Sequence, residues 1–93
     1  MSMTGIERGV CCTYILRCAD GTLYTGWTND LEHRLQSHNA GTGGKYTRTH
    51  RPVTLAWYEI HEDRSAAMHR EAEIKRLTRA QKLQLMEREG IKP

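Results

Sequence analysis

Five side chains of this sequence could do chemistry together. Tyr14 and Tyr24 stand ten apart, Arg34 and His38 stand four apart, and Glu71 lies well downstream. A guanidinium grips oxyanions through a planar fork of donors. An imidazole exchanges protons near neutral pH. A phenol is a weak base at its ordinary pKa of about 10 unless a neighbouring cation depresses it. Glu71 shares a helix face with Ala67 and Ile74, and that face is apolar. A carboxylate held against apolar surface is costly unless something neutralises it, and a divalent cation would do so. The alternative is an ion pair with Lys75, four residues on, and spacing alone favours that alternative. The tyrosines could equally be strand residues with wet hydroxyls, and Arg34 and His38 an exposed pair on a basic helix. These separate readings leave the set unexplained. Independent local arguments aim two phenols, a guanidinium, an imidazole and a carboxylate at one sheet face.

The elements that must position them can be read from the pattern. Cys11 to Cys18 is apolar and β-rich with Arg17 its one charge, and Leu23 to Trp27 makes a second strand. Ala19-Asp20-Gly21 suits a three-residue hairpin loop, with Gly21 in the left-handed position. That loop pairs Cys18 with Thr22, Leu16 with Tyr24 and Tyr14 with Gly26, which puts both tyrosine rings on one face. A two-residue loop would pair Arg17 with Tyr24 and split the rings. Asn29 is a suitable N-cap, with Glu32 three residues on, for a helix from Asp30 to about Asn39 that ends at Gly41. Leu31 and Leu35 form its apolar stripe, and Arg34 and His38 sit at the stripe's edge.

A long loop from Gly41 to Pro52 follows. Its second half spaces Lys45, Arg48 and Arg51 by threes around Tyr46, a pattern suited to a phosphate backbone or to nothing more than a solvated loop. Val53 to Ile60 predicts a third strand, and Asp63 or Ser65 caps a helix running to Leu77. Thr78 with Gln81 marks a fresh start for a last helix, which runs to Glu89 and stops at Gly90, with Leu83, Leu85 and Met86 as its apolar contacts. The order β-β-α-β-α-α requires one small sheet covered by helices, in the α/β or α+β manner. Residues 1–10 read as a flexible lead-in, 11–90 as one domain and 91–93 as a tail.

Ninety-three residues make one small domain with a thin core. The formal net charge of +3 permits an anionic partner without requiring one. No stretch approaches the roughly 20 apolar residues of a membrane helix. The N-terminal residues lack the apolar run of a signal peptide. Cys11, Cys12 and Cys18 are an odd number bunched in one strand, a poor disulfide framework and a poor metal set, so buried thiols in a reducing, cytoplasmic setting are expected.

Taken together, Tyr14-Ile-Leu, then Leu-Tyr24-Thr-Gly26, then Asn-Asp-Leu-Glu-His-Arg34-Leu-Gln-Ser-His38-Asn resemble the GIY-YIG nuclease domain. Arg70-Glu71-Ala-Glu-Ile-Lys-Arg-Leu resembles that family's carboxylate helix, and the likeness runs from about Thr13 to Met86. The small stand-alone bacterial YhbQ-like (UPF0213) group is the best match. The resemblance implies a three-stranded antiparallel sheet flanked by three helices. It implies hydrolysis of DNA phosphodiester bonds with one divalent cation, usually magnesium, in repair or recombination. By position, Tyr24 matches the tyrosine that activates or orients water, Tyr14 the first-motif tyrosine that supports water and phosphate, and Arg34 the arginine that stabilises phosphate charge. Glu71 matches the metal ligand, His38 a histidine that assists proton transfer, and Tyr46 stands near a second His or Tyr position.

The chain departs from the pattern in that Cys12-Thr13-Tyr14 replaces Gly-Ile-Tyr, and Thr25 replaces an isoleucine. Trp27 stands where a smaller apolar residue is usual, and could narrow the cleft or stack on a base. With no separate DNA-binding domain in view, weak binding of DNA by structure rather than sequence is expected. The competing readings are a non-catalytic nucleic-acid-binding module on the same scaffold and a plain interaction domain.

Overall fold

The structure, a computed structural model, describes residues 5–42 and 50–89. Strands β1 (Cys12–Arg17) and β2 (Leu23–Thr28) precede helix α1 (Leu31–Ala40), followed by β3 (Thr54–Ile60), α2 (Arg64–Lys75) and α3 (Arg79–Glu89). The sheet is antiparallel throughout, with β1 in the middle between β2 and β3. A central strand covered on both faces has no side left for water, and Cys12 to Leu16 are all buried.

Each face of the sheet carries its own core. On one face Cys12, Tyr14, Leu16 and Cys18 pack with Leu31 and Leu35 of α1 and with Val53. On the other, Ile15 and Trp57 pack with Ile74 of α2 and Leu85 of α3. The three cysteines are free thiols, and burial pushes the Cys12 thiol up to about 11, which leaves it inert.

The hairpin takes the three-residue loop. Leu16 faces Tyr24 and Tyr14 faces Gly26. The Cys18 amide donates to the Thr22 carbonyl over 2.9 Å, and Gly21 turns the corner at φ 87°. Asp20 reinforces the turn by accepting from the Thr22 amide and hydroxyl. These bonds also hold the Asp20 carboxyl below its usual range.

The cap of α1 differs from expectation. Asp30, not Asn29, is the N-cap, and its carboxylate accepts from the His33 amide at 3.2 Å. A first turn begun one residue later leaves Glu32 out of the reciprocal cap position. Gly41 closes the helix at φ 86°, as its position predicted. The other caps follow the sequence: Asp63 accepts from the Ala66 amide, and Thr78 and Gln81 exchange side-chain-to-amide bonds at the start of α3.

Candidate active site

The site begins with the pairing of Tyr14 and Gly26. Strand β2 lies at the sheet's edge, and the Tyr14 ring reaches across Gly26 toward that edge. A methyl group on Gly26 would stand 2.5 Å from the Tyr14 hydroxyl oxygen and 2.7 Å from Cζ, so only glycine leaves room for this phenol. Helix α1 covers the same face. It places His38 so that the imidazole Nε2 lies 3.2 Å from the Tyr14 hydroxyl. The His38 ring also meets the Tyr24 ring edge-on, with centroids 5.3 Å apart.

His38 is buried completely, at 0% exposure, where spacing had put it at the edge of the stripe. A residue one step round from two buried leucines is drawn in because two phenol rings receive it. Burial, with the nearby Arg34 charge as the lesser cause, pulls its pKa down, so the imidazole is neutral. The Tyr14 phenol is pushed up, by burial first and then by the neighbouring Tyr24 phenol. Arg34 pulls it down and Glu71 pushes it up. Tyr14 therefore keeps its proton and can donate it to the neutral ring.

The groups that act electrostatically on that one hydroxyl are, in falling order, Tyr24 on β2, Arg34 on α1, Cys12 on β1 and Glu71 on α2. Arg34 is exposed and Tyr24 half-buried, so both are open to a ligand.

Glu71 arrives by a different route from the one expected. Its helix packs on the opposite face of the sheet, through Ala67 and Ile74, rather than on the tyrosine face. From that layer its charge is the weakest of the electrostatic influences on the Tyr14 hydroxyl. The side chain is 22% exposed and pairs with Lys75 Nζ at 3.6 Å, so the expected ion pair does form. Among the described residues no three His, Cys, Asp or Glu come together as a metal-holding group. Glu71 would thus be a lone protein carboxylate. That fits a magnesium ion, which keeps most of its waters and takes one or two carboxylates together with substrate phosphates.

Other sequence-marked residues lie apart. Trp27 pairs with Thr13 and faces α2, where the Arg64 guanidinium sits 5.8 Å from its ring centroid, so it does not narrow the tyrosine face. Arg51 lies against Gly41 and donates to the Asn39 carbonyl at 3.4 Å, completing the end of α1. Lys45, Tyr46 and Arg48 fall outside the described residues.

Two residues that spacing did not single out help to build the site. Asn39 accepts from the Val53 amide at 2.7 Å and donates to the Val53 carbonyl at 3.0 Å, pinning the end of α1 to the start of β3. The buried Thr13 hydroxyl donates to the Ala67 carbonyl at 2.8 Å, tying β1 to α2. For Thr13 the available signals were its departure from the family motif and a hydroxyl in the mostly apolar run from Cys12 to Leu16.

Comparison with known proteins agrees with this order of strands and helices. Residues 10–84 match the model of the GIY-YIG catalytic domain. A UPF0213 protein of Clostridium perfringens is 54% identical over 79 residues, 85% of each chain. One from Staphylococcus haemolyticus is 51% identical over 74 residues, 80% of this chain and 90% of the other. The solution structure of a UPF0213 protein from Bacillus halodurans superposes with a TM-score of 0.59 at 40% identity, covering 87% of this chain and 86% of that one. A second solution structure, from E. faecalis, gives 0.60 at 42% identity, with 94% and 88% covered. Its order of strands and helices and the stretch matched leave one assignment: the chain belongs to the GIY-YIG catalytic-domain family, a family of nucleases, and within it to the UPF0213 proteins.

Proposed function

We propose that this protein hydrolyses DNA phosphodiester bonds with one divalent cation, magnesium being the ion expected, at a site formed by Tyr14, Tyr24, Arg34, His38 and Glu71. The observation that carries this reading is the Tyr14 hydroxyl set over Gly26 and 3.2 Å from His38 Nε2, with the Tyr24 ring packed against the same imidazole. Cleaving a phosphodiester needs a placed water, a cation for the phosphoryl oxygens and help for the leaving oxygen.

Arg34, exposed on α1, grips the phosphate through its donor fork. Tyr24 is half-buried with its ring against His38, and orients the attacking water. His38, at 0% exposure, does not touch DNA; it positions Tyr14 and receives a proton only by way of a phenol. Glu71 would hold the divalent ion, which when bound supplies positive charge at the phosphate. Lys45, Tyr46, Arg48 and Arg51 add weak contacts to the DNA backbone, so recognition follows DNA structure rather than sequence. Action in DNA repair or recombination in the cytoplasm fits a small nuclease domain with free thiols.

Incubation of supercoiled plasmid and branched DNA with magnesium or with chelator tests the reading. The wild type should cut only with the metal, and Glu71→Ala should bind DNA without cutting it. A wild type that binds DNA in a salt-sensitive way but cuts neither substrate with any divalent ion is a binding module, and the hydrolase reading then fails.

A further inference from the structure

Thr13 stands where the family's first motif has isoleucine, and its hydroxyl is not idle. It is fully buried and donates to the Ala67 carbonyl across 2.8 Å. Ala67 lies four residues before Glu71 in the unbroken helix α2. In α-helical geometry the Glu71 amide donates to that same carbonyl. One carbonyl oxygen thus receives both the Glu71 backbone and a side chain of the central strand. Thr13 is also the chain neighbour of Tyr14, which points to the opposite face. From these contacts we infer that Thr13 is a positioning residue for Glu71: it fixes the height and rotation of the Glu71 turn against β1, and so the placing of the carboxylate relative to the Tyr14 hydroxyl at the sheet's edge.

The need for such a tether follows from the topology. The phenols and Glu71 lie in different layers, so no single face holds them in register. An apolar side chain at position 13 would pack against α2 yet leave it free to slide by fractions of an ångström. A hydrogen bond to a backbone carbonyl fixes a direction as well as a distance. Thr25 supplies a natural control. It pairs with Ile15, so it faces the same layer, and its buried hydroxyl has no hydrogen-bond partner among the described residues. Two buried threonines therefore face α2, and one of them holds it.

This inference rests on the nuclease reading and deepens it. The experiment measures the magnesium concentration for half-maximal plasmid cleavage, and separately the affinity of the DNA-free protein for manganese by water-proton relaxation. Thr13→Val should raise the magnesium requirement and weaken manganese binding by about 10-fold, the low end of the effect of losing a group that orients a metal ligand. Thr13→Ser, which keeps the hydroxyl, should stay near the wild type, and so should Thr25→Val. Unchanged metal affinity in a folded Thr13→Val overturns the inference while leaving the nuclease reading intact. A wild type with no metal-dependent cleavage and no manganese binding overturns both. If Thr13→Val does not fold, Thr13→Ala and Thr13→Ser are compared at a temperature where both are folded. Serine must then bind manganese more tightly than alanine, and equal affinities overturn the inference.

Discussion

Gly26 and the Tyr14 phenol occupy adjoining space so closely that neither can change alone. A β-carbon at position 26 would press on the hydroxyl oxygen at 2.5 Å and on Cζ at 2.7 Å. The ring is fixed behind by the His38 contact and by burial, so it has little room to retreat. Gly26→Ala should therefore cost about 1–3 kcal/mol of stability, as overpacking in a close-packed core does. Tyr14→Phe removes the atom that is pressed hardest, so it should recover part of that cost in the double variant. Urea unfolding of the wild type, both single variants and the double variant measures this as a coupling energy. Strictly additive costs would show that the ring and the glycine do not share space in solution.

At the scale of elements, the hairpin register was legible from two hints that agree: Ala19-Asp20-Gly21 suits a three-residue loop, and only that loop puts Tyr14 and Tyr24 on one face, as the pairing of Leu16 with Tyr24 does. The stops and starts of the helices were legible from Gly41, Asp63 and Thr78. What spacing could not tell is which layer a helix joins. Glu71 shares its stripe with Ala67 and Ile74 as expected, but that stripe fits either face of a sheet equally well, and only tertiary packing chose the far one. His38 escaped for a related reason, since a helix pattern marks a stripe's edge without showing what waits there. The displaced cap of α1 yields a direct test. Asp30→Ala removes the acceptor for the His33 amide and an ion pair with Arg8, and should cost about 1 kcal/mol. Asn29→Ala should stay within about 0.5 kcal/mol of the wild type, as surface changes usually do. Thermal unfolding of the two variants decides, and an Asn29→Ala loss as large as that of Asp30→Ala would return the cap to Asn29.

Across the whole molecule, three strands separate two cores, and an imidazole sits inside one of them. His38 is neutral there because burial, and then Arg34, oppose its charge. The unfolded chain exposes the same imidazole to water, where it takes a proton at its ordinary pKa of about 6.5. The unfolded state then binds more protons than the folded one, so stability attributable to this group is present above that pKa and lost as pH falls below it. Around His38 the facing groups are the Tyr14 and Tyr24 phenols and the Arg34 guanidinium, and the only fixed charge among these three is positive, which disfavours a second cation. Urea unfolding from about pH 7 to about pH 5 should show the wild type weakening, with a shallower decline in His38→Gln, whose amide does not titrate in this range. Equal declines in the two proteins would mean that protonation of His38 costs the fold nothing, and that the imidazole beside Tyr14 carries its proton in the native state.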